Sequence, residues 1–507
     1  MRNCWPSFAP WRERKHKETK KMGTRTNLTE EQYIRFSFLS DGQKRLIFNE
    51  TLQILQHTGV QVKHEAACEL LGQNGCRVSK QRVYMPSHVV RNVLNSVPPV
   101  TNIYSWTGPV SLRVEHGHTY FGPGPTCPNF IDPFSFERRA YTRADAAMVA
   151  RLCDALPEIG FVMSLGLVSD APYGMEGLYE FAELIQNSGK PPIAWCFSRE
   201  HCEAIHQIGT ALAGGPEAFR LKPNYLFYNE PISPLLSDFN AIDKVIYCAE
   251  NNIPQIFAPA STGGGTVPAT HSAHIALTLA ESLIGVVIAQ TVNPGACIII
   301  GGTQSILDMR DMVFAYGAPE LSSLEAGLTE MAEYLGLPVF SAGGCSDAKT
   351  MDAQAAIEAA LSLHSAMLSG PSLVHDVGFM ESGMCGSVFQ LVLADEIIGK
   401  SETIARGVRV TEETLSRKEI EAVGPGGDYR SLAQTDEKSK QQKQPEPGIP
   451  ENQAADPCLS GLPARITHRT QSLIKENPGP SGQISDETAQ KIQNILDNAA
   501  AGAMAKA

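Results

Sequence analysis

A histidine followed directly by an aspartate, His375-Asp376, is the most chemically suggestive pair in the 507-residue chain. The carboxylate would orient the imidazole and fix its tautomer, which suits a group that holds or moves a proton. A satisfied structural pair would read the same way. Tyr228-Asn229-Glu230 sets a phenol, an amide and a carboxyl side by side. Cys196, Cys345 and His375 are of the ligand types that hold a catalytic zinc, though they lie far apart and lack local ligand spacing. The Gly263-Gly264-Gly265 run could cradle a phosphate, but no Lys-Ser/Thr follows it and a plain turn fits better. Rings are frequent in the same stretches: Phe121, Phe130, Phe134, Phe136, Trp195, Phe197, Tyr225, Tyr228 and Phe379. Several rings with few lysines suit a quaternary ammonium ligand through cation–π attraction. Arg310 is the nearest fixed cation for a carboxylate attached to such a ligand, and reads equally as a surface residue.

These groups need a frame. Short apolar, β-branched or aromatic runs occur at 119–122, 161–168, 192–197, 225–229, 255–258, 297–301, 338–342 and 373–376. Helical patterns follow them, among them 175–188, 199–213, 239–251, 269–291, 309–335 (read as two helices), 353–369 and 389–405. Strands alternating with helices imply a parallel sheet. Eight such units predict an α/β fold of the TIM (β/α)₈ barrel type, with chemistry at the C-terminal ends of the strands. An open doubly wound sheet is the weaker alternative, because no G-x-G-x-x-G follows the first strand. Helical patterns at 43–58, 65–73 and 87–96 and a hairpin at 76–85 predict a mixed α+β cap ahead of the barrel. The expected layout is a disordered basic leader (1–25), the cap (26–115), the barrel (116–427), a linker or disordered stretch (428–482) and a short helical tail (483–507).

Composition narrows the function classes. With 42 Lys+Arg against 54 Asp+Glu the net charge is -12, which disfavours nucleic acid and anionic membranes as partners. The twelve cysteines contain no C-x-x-C pair and fit a reducing cytoplasm. The leader holds eight Lys/Arg but no apolar run, so it lacks the form of a secretory signal; Met22 would serve equally as a start. Segment 274–292 has the length of a membrane span, yet Glu281 sits at its centre and a buried helix is expected instead.

LQILQHTGVQVKHEAACELLGQNGCRV, GKPPIAWCFSRE, YNEPISPL, PASTGGGTVPATHSAHIALTLAE, SAGGCSDAKTMDAQAAIEAAL and LVHDVGFMESG, in this order, resemble the trimethylamine methyltransferase family. The resemblance runs from about Thr51 to Gly427. It implies a TIM barrel that passes a methyl group from an amine to the Co(I) of a corrinoid carried by a separate protein docking over the mouth. Part of that family carries pyrrolysine, and the loop 342–351 is the expected place for it; this sequence has no non-standard residue. The implied substrate is therefore a quaternary amine such as glycine betaine rather than trimethylamine. With it come His375, Asp376 and Asn229 as expected catalytic residues. Arg310, Glu230, Tyr228, Phe197, Phe379 and Asp347 are expected to bind substrate. No metal held by the chain itself is expected, and assembly into a homo-oligomer is left open. The family's usual C-terminal segment is replaced after Gly427 by a Gln/Lys/Pro-rich run. That departure keeps open a non-catalytic descendant that binds betaines or the corrinoid protein. An unrelated aldolase is disfavoured because no lysine stands at a strand end.

Overall fold

A computed structural model describes residues 31–32, 36–106, 110–430, 432, 461–477 and 484–504. The expected leader and most of the expected linker lie outside the described residues.

The centre is a curled, all-parallel sheet of seven strands, labelled here in chain order. They are β1 (Tyr120–Phe121), β2 (Ile193–Ala194), β3 (Leu226–Asn229), β4 (Gln255–Phe257), β5 (Ile298–Gly301), β6 (Val339–Ala342) and β7 (Leu373–His375). The order is β2-β3-β4-β5-β6-β7-β1, so the first strand closes onto the last. Seven of the eight runs read from the sequence are these strands. The eighth, 161–168, makes only isolated parallel bridges, Val162 to Pro192, Gly166 to Cys127 and Val168 to Tyr141, with Ile159 just before it bridging to Phe121. Leu165, at φ +67°, breaks the extended geometry, and beyond it the chain pairs instead with Cys127 through Gly166 and with Tyr141 through Val168.

Alternation along the strands turns Ile193, Leu226, Ile256, Ile299, Phe340 and Leu373 inward to one core. A hairpin, Thr101–Tyr104 with Val110–Val114, inserts Ile103, Leu112 and Val114 beneath them. The opposite, C-terminal end of the strands is left for the site.

The cap explains the membrane-like segment. Helix His271–Val292 is apolar on nearly every face because it lies between the sheet and the cap helices Asp41–Gln53, Glu65–Gln73 and Ser87–Leu94. Its central Glu281 is 1% exposed and accepts the Leu235 N–H (2.6 Å) and the Ser233 hydroxyl (3.1 Å). Burial pushes that carboxyl up to about 7. The predicted helix pair at 309–335 is instead a hairpin, Thr303–Asp308 with Val313–Phe314, and one helix, Pro319–Leu335. The expected linker contains helix Leu462–Glu476, whose Ile466 is buried against helices Arg143–Ala155 and Val388–Ala405. Helix Asp486–Met504, the expected tail helix, buries Ile492 and Leu496 against Glu176–Asn187 and Arg199–Ala213.

Candidate functional site

One step up from the inward core, the same alternation points Tyr228, Ala258, Gly301, Ala342 and His375 into the mouth. Ala258 and Ala342 contribute little bulk beside the imidazole, and Gly301 lets the neighbouring strand approach, since a Cβ there would stand 2.3 Å from the Phe340 carbonyl oxygen. The His375 ring lies flat on Phe340, with centroids 4.0 Å apart and 5° between planes. Its Nδ1 is 2.6 Å from Asp376 Oδ1 and its Nε2 is 3.2 Å from Thr303 Oγ1. With the Nδ1–H donating to the carboxylate, Nε2 accepts the Thr303 hydroxyl proton. The imidazole is thus fixed on both edges and one face.

Asp376 is held as firmly. Tyr316 donates its phenol to Oδ2 at 3.0 Å. Backbone φ at Asp376 is +67°, a conformation that costs a non-glycine residue of order 1 kcal/mol or more and that the surrounding contacts must maintain. Gly124, just past β1, makes room for it: a Cβ there would stand 2.0 Å from Asp376 Oδ1 and 2.7 Å from the Phe379 ring.

Across from the imidazole, Tyr228 lies 6.5 Å away between ring centroids and donates its phenol to Glu230 Oε2 at 3.0 Å. Glu230 is solvent-accessible, yet enough protein surrounds it that lost hydration pushes its carboxyl above the usual range. It therefore lines a wet recess rather than an outer surface. Burial also raises the Tyr228 and Tyr316 phenols, reinforced by Glu230 and Asp376 beside them.

His375, Asp376, Tyr228 and Glu230 are therefore brought together, with Phe379 packed edge-on to Tyr316 at 6.0 Å. Other expected site residues lie elsewhere. Asn229 has the opposite parity to Tyr228 and points outward, donating to Gln255 Oε1 at 3.2 Å behind the sheet, so it does not reach the mouth. Asp347 is occupied by the Tyr316 N–H (2.9 Å), the Gly317 N–H (2.8 Å) and the Ser382 hydroxyl (2.8 Å), and serves to hold the Tyr316 turn. Arg310 stands exposed on the hairpin that follows β5, its own N–H donating to Asp308. Phe197 is on the rim, half exposed and edge-on to Trp195 at 5.0 Å. Among the described residues no three His, Cys, Asp or Glu converge as metal ligands, so Cys196, Cys345 and His375 do not form a zinc site. Nor is the glycine run a phosphate cradle, because the Gly265 and Gly264 N–H groups are spent within the turn on the Thr262 and Val267 carbonyls.

The sequence reading missed Thr303 and Tyr316. Thr303 follows β5 by two residues, within the strand-end position that marks barrel chemistry. Tyr316 left no such signal, since it arrives from the far end of an unforeseen hairpin.

The Trimethylamine methyltransferase (MTTB) family model matches residues 10–456. The chain is 29% identical over 412 residues to a glycine betaine methyltransferase of Desulfitobacterium hafniense (strain Y51), covering 80% of this chain and 85% of that protein. It is 27% identical over 482 residues to a trimethylamine methyltransferase, MttB2, of Methanosarcina mazei, covering 92% and 96%. Among solved structures it is similar to the Methanosarcina barkeri monomethylamine methyltransferase MtmB, with a TM-score of 0.47 at 11% identity over 86% of this chain and 93% of that one. An inward-facing cluster at the strand ends and a match running through nearly the whole sheet and cap thus converge: the chain belongs to the trimethylamine methyltransferase family and is a methyltransferase.

Proposed function

We propose that this protein takes a methyl group from a quaternary amine of the glycine betaine kind, or from a methylamine, and delivers it to the Co(I) of a corrinoid carried by a separate protein. The observation that carries the proposal is the recess bounded by Tyr228, Glu230, Phe340 and the fixed His375-Asp376 pair. A ring face and a carboxyl on one side hold an ammonium, and the rigid imidazole wall opposite limits how it turns. When bound, the corrinoid supplies the nucleophile. The mouth suits a broad docking partner: Phe197, Ile232, Met309, Met312 and Met384 are all half exposed or more on loops that follow the strands. We read the corrinoid as the partner's, with the rim residues as its seat.

The chemistry asked of the chain is orientation. The carbon–nitrogen bond breaks as the methyl carbon is attacked in line, and the bonding pair stays on nitrogen. From a quaternary ammonium the leaving group is already a neutral tertiary amine, so no proton need be delivered. A tertiary amine would have to enter protonated. Positioning of this kind supplies several kcal/mol of a barrier. We further read segment 159–168 as the eighth member of a closed barrel, supported by its bridges to β1 and to Pro192. The protein is proposed to act in the cytoplasm without pyrrolysine, and a homo-oligomer fits this reading. The packing of helices Leu462–Glu476 and Asp486–Met504 against the helices that flank the sheet supports an active enzyme over an inert descendant.

Purified protein is mixed with a Co(I) corrinoid protein and a panel of quaternary and tertiary methylamines, and loss of the Co(I) absorbance is followed. At least one amine should be demethylated, and His375→Ala should lower kcat by about a hundredfold or more. A panel in which every amine is inert overturns the proposal.

A further inference from the structure

Every hydroxyl proton at the mouth is already committed. Tyr228 donates to Glu230 at 3.0 Å, Tyr316 to Asp376 at 3.0 Å, and Thr303 to His375 Nε2 at 3.2 Å. The carboxyl open to the recess is that of Glu230, since Asp376 is 2% exposed and both its oxygens are taken by His375 and Tyr316. Lys244 is near enough to favour the ionised Glu230, but its ammonium is engaged elsewhere. It donates to the Cys196 carbonyl at 2.5 Å and lies 6.0 Å over the Phe227 ring, behind the sheet. Arg138 is paired with Glu381 at 3.1 Å, and Arg310 projects from an exposed hairpin tip. A substrate carboxylate in this recess would meet the Glu230 carboxyl, and like charges at such range repel. An alcohol substituent meets what it needs, because it carries a proton to donate to the Glu230 carboxyl.

Resting on the methyl-transfer reading above, we propose that the site selects trimethylammonium compounds that bear a hydroxyl group and no carboxylate, with choline as the pattern, over betaines. Glu230 sets that selectivity. It is the counter-ion of the ammonium and the partner of the substrate hydroxyl, while Tyr228 supplies the ring face beneath. Arg310 takes no part in holding a carboxylate.

Isothermal titration of the full-length protein with choline, tetramethylammonium and glycine betaine reads binding apart from turnover; the transfer assay is run on the same three. Choline is expected to bind at least about tenfold more tightly than glycine betaine, with tetramethylammonium between them. Glu230→Gln should weaken choline about tenfold and narrow the gap to glycine betaine, whereas Arg310→Ala should change each affinity by less than about twofold. Glycine betaine binding as well as choline, or Arg310→Ala selectively weakening glycine betaine, overturns the inference. If the binding order holds but none of a wider amine panel is demethylated, the transfer reading falls and the selectivity stands. If none of the three binds, both fall.

Discussion

Two arcs of the central sheet solve the same problem by different means. From β2 to β7 the strands are joined by continuous parallel ladders, such as Phe227–Gln255 through Asn229–Phe257 and Phe340–Leu373 through Ala342–His375. Between β1 and β2 the ladder thins to single bridges through 159–168. There side chains replace the missing ladder. Glu180 accepts the Ser164 hydroxyl (2.8 Å), the Val168 N–H (3.1 Å) and the Trp195 indole N–H (2.8 Å). Lys190 donates to the Cys153, Leu156 and Ile159 carbonyls. Helices Leu462–Glu476 and Asp486–Met504 then brace the flanking helices from outside. Where backbone pairing stops, buried charge and tertiary packing hold the curve. The site straddles the boundary, since His375 belongs to the laddered arc and Gly124 to the seam.

Substitutions on the seam side test this division most sharply. Gly124→Ala drives a methyl group into Asp376 and Phe379; transfer should fall more than about a hundredfold, as misplacement of about 1 Å commonly does. Ala258→Gly, in the laddered arc, should leave more than a tenth of the activity. Ile466→Asp puts a charge into the brace and should cost about 4 kcal/mol in denaturant unfolding. The loss should appear first as faster amide exchange over 159–168, while β4 to β6 stay protected. Equal acceleration in both arcs would show that the brace is not local.

Glu180→Leu leaves the Val168 N–H and the Trp195 indole without their acceptor, for about 2–3 kcal/mol of stability. The effect spread most thinly, per pH unit, is a pH slope. Burial pushes Glu180 to about 7 and Glu325 to about 8, both raised from about 4.5. A raised carboxyl keeps its proton longer folded than unfolded, so its contribution is full below about pH 4.5 and declines as pH rises toward its folded value. Stability should therefore fall by up to about 1.4 kcal/mol per pH unit per group between about pH 5 and 7. Glu180→Gln should remove one such increment from the slope measured by urea titration. An unchanged slope would mean that Glu180 titrates normally.

Periodicity made the laddered arc legible, because buried parallel strands are short apolar runs with helices between them. Run 161–168 looked the same, but Leu165 takes a left-handed turn that no composition signal announces. Asn229 shows a neglected signal: Leu226 and Tyr228 face inward, so strand parity alone sends Asn229 outward. His375-Asp376 was readable because both lie at a strand end. Tyr316 was not, since a hairpin returns it from a distance. Buried carboxyls such as Glu325, which accepts the Gln304 N–H at 2.7 Å and the Ser341 hydroxyl at 2.8 Å, were hidden inside ordinary helix patterns.

The position of helix His271–Val292 carries a consequence for synthesis. The cap helices end at Leu94, yet the apolar surface they cover and the strand Leu236–Ser237 that pairs with Val60–Val62 belong to chain made later. Roughly 200 residues separate the two, on the order of 10–40 s of translation. The cap must therefore wait on the ribosome with its inner face uncovered, and a nascent chain stalled before residue 292 would expose to chaperones the surface that the finished protein conceals.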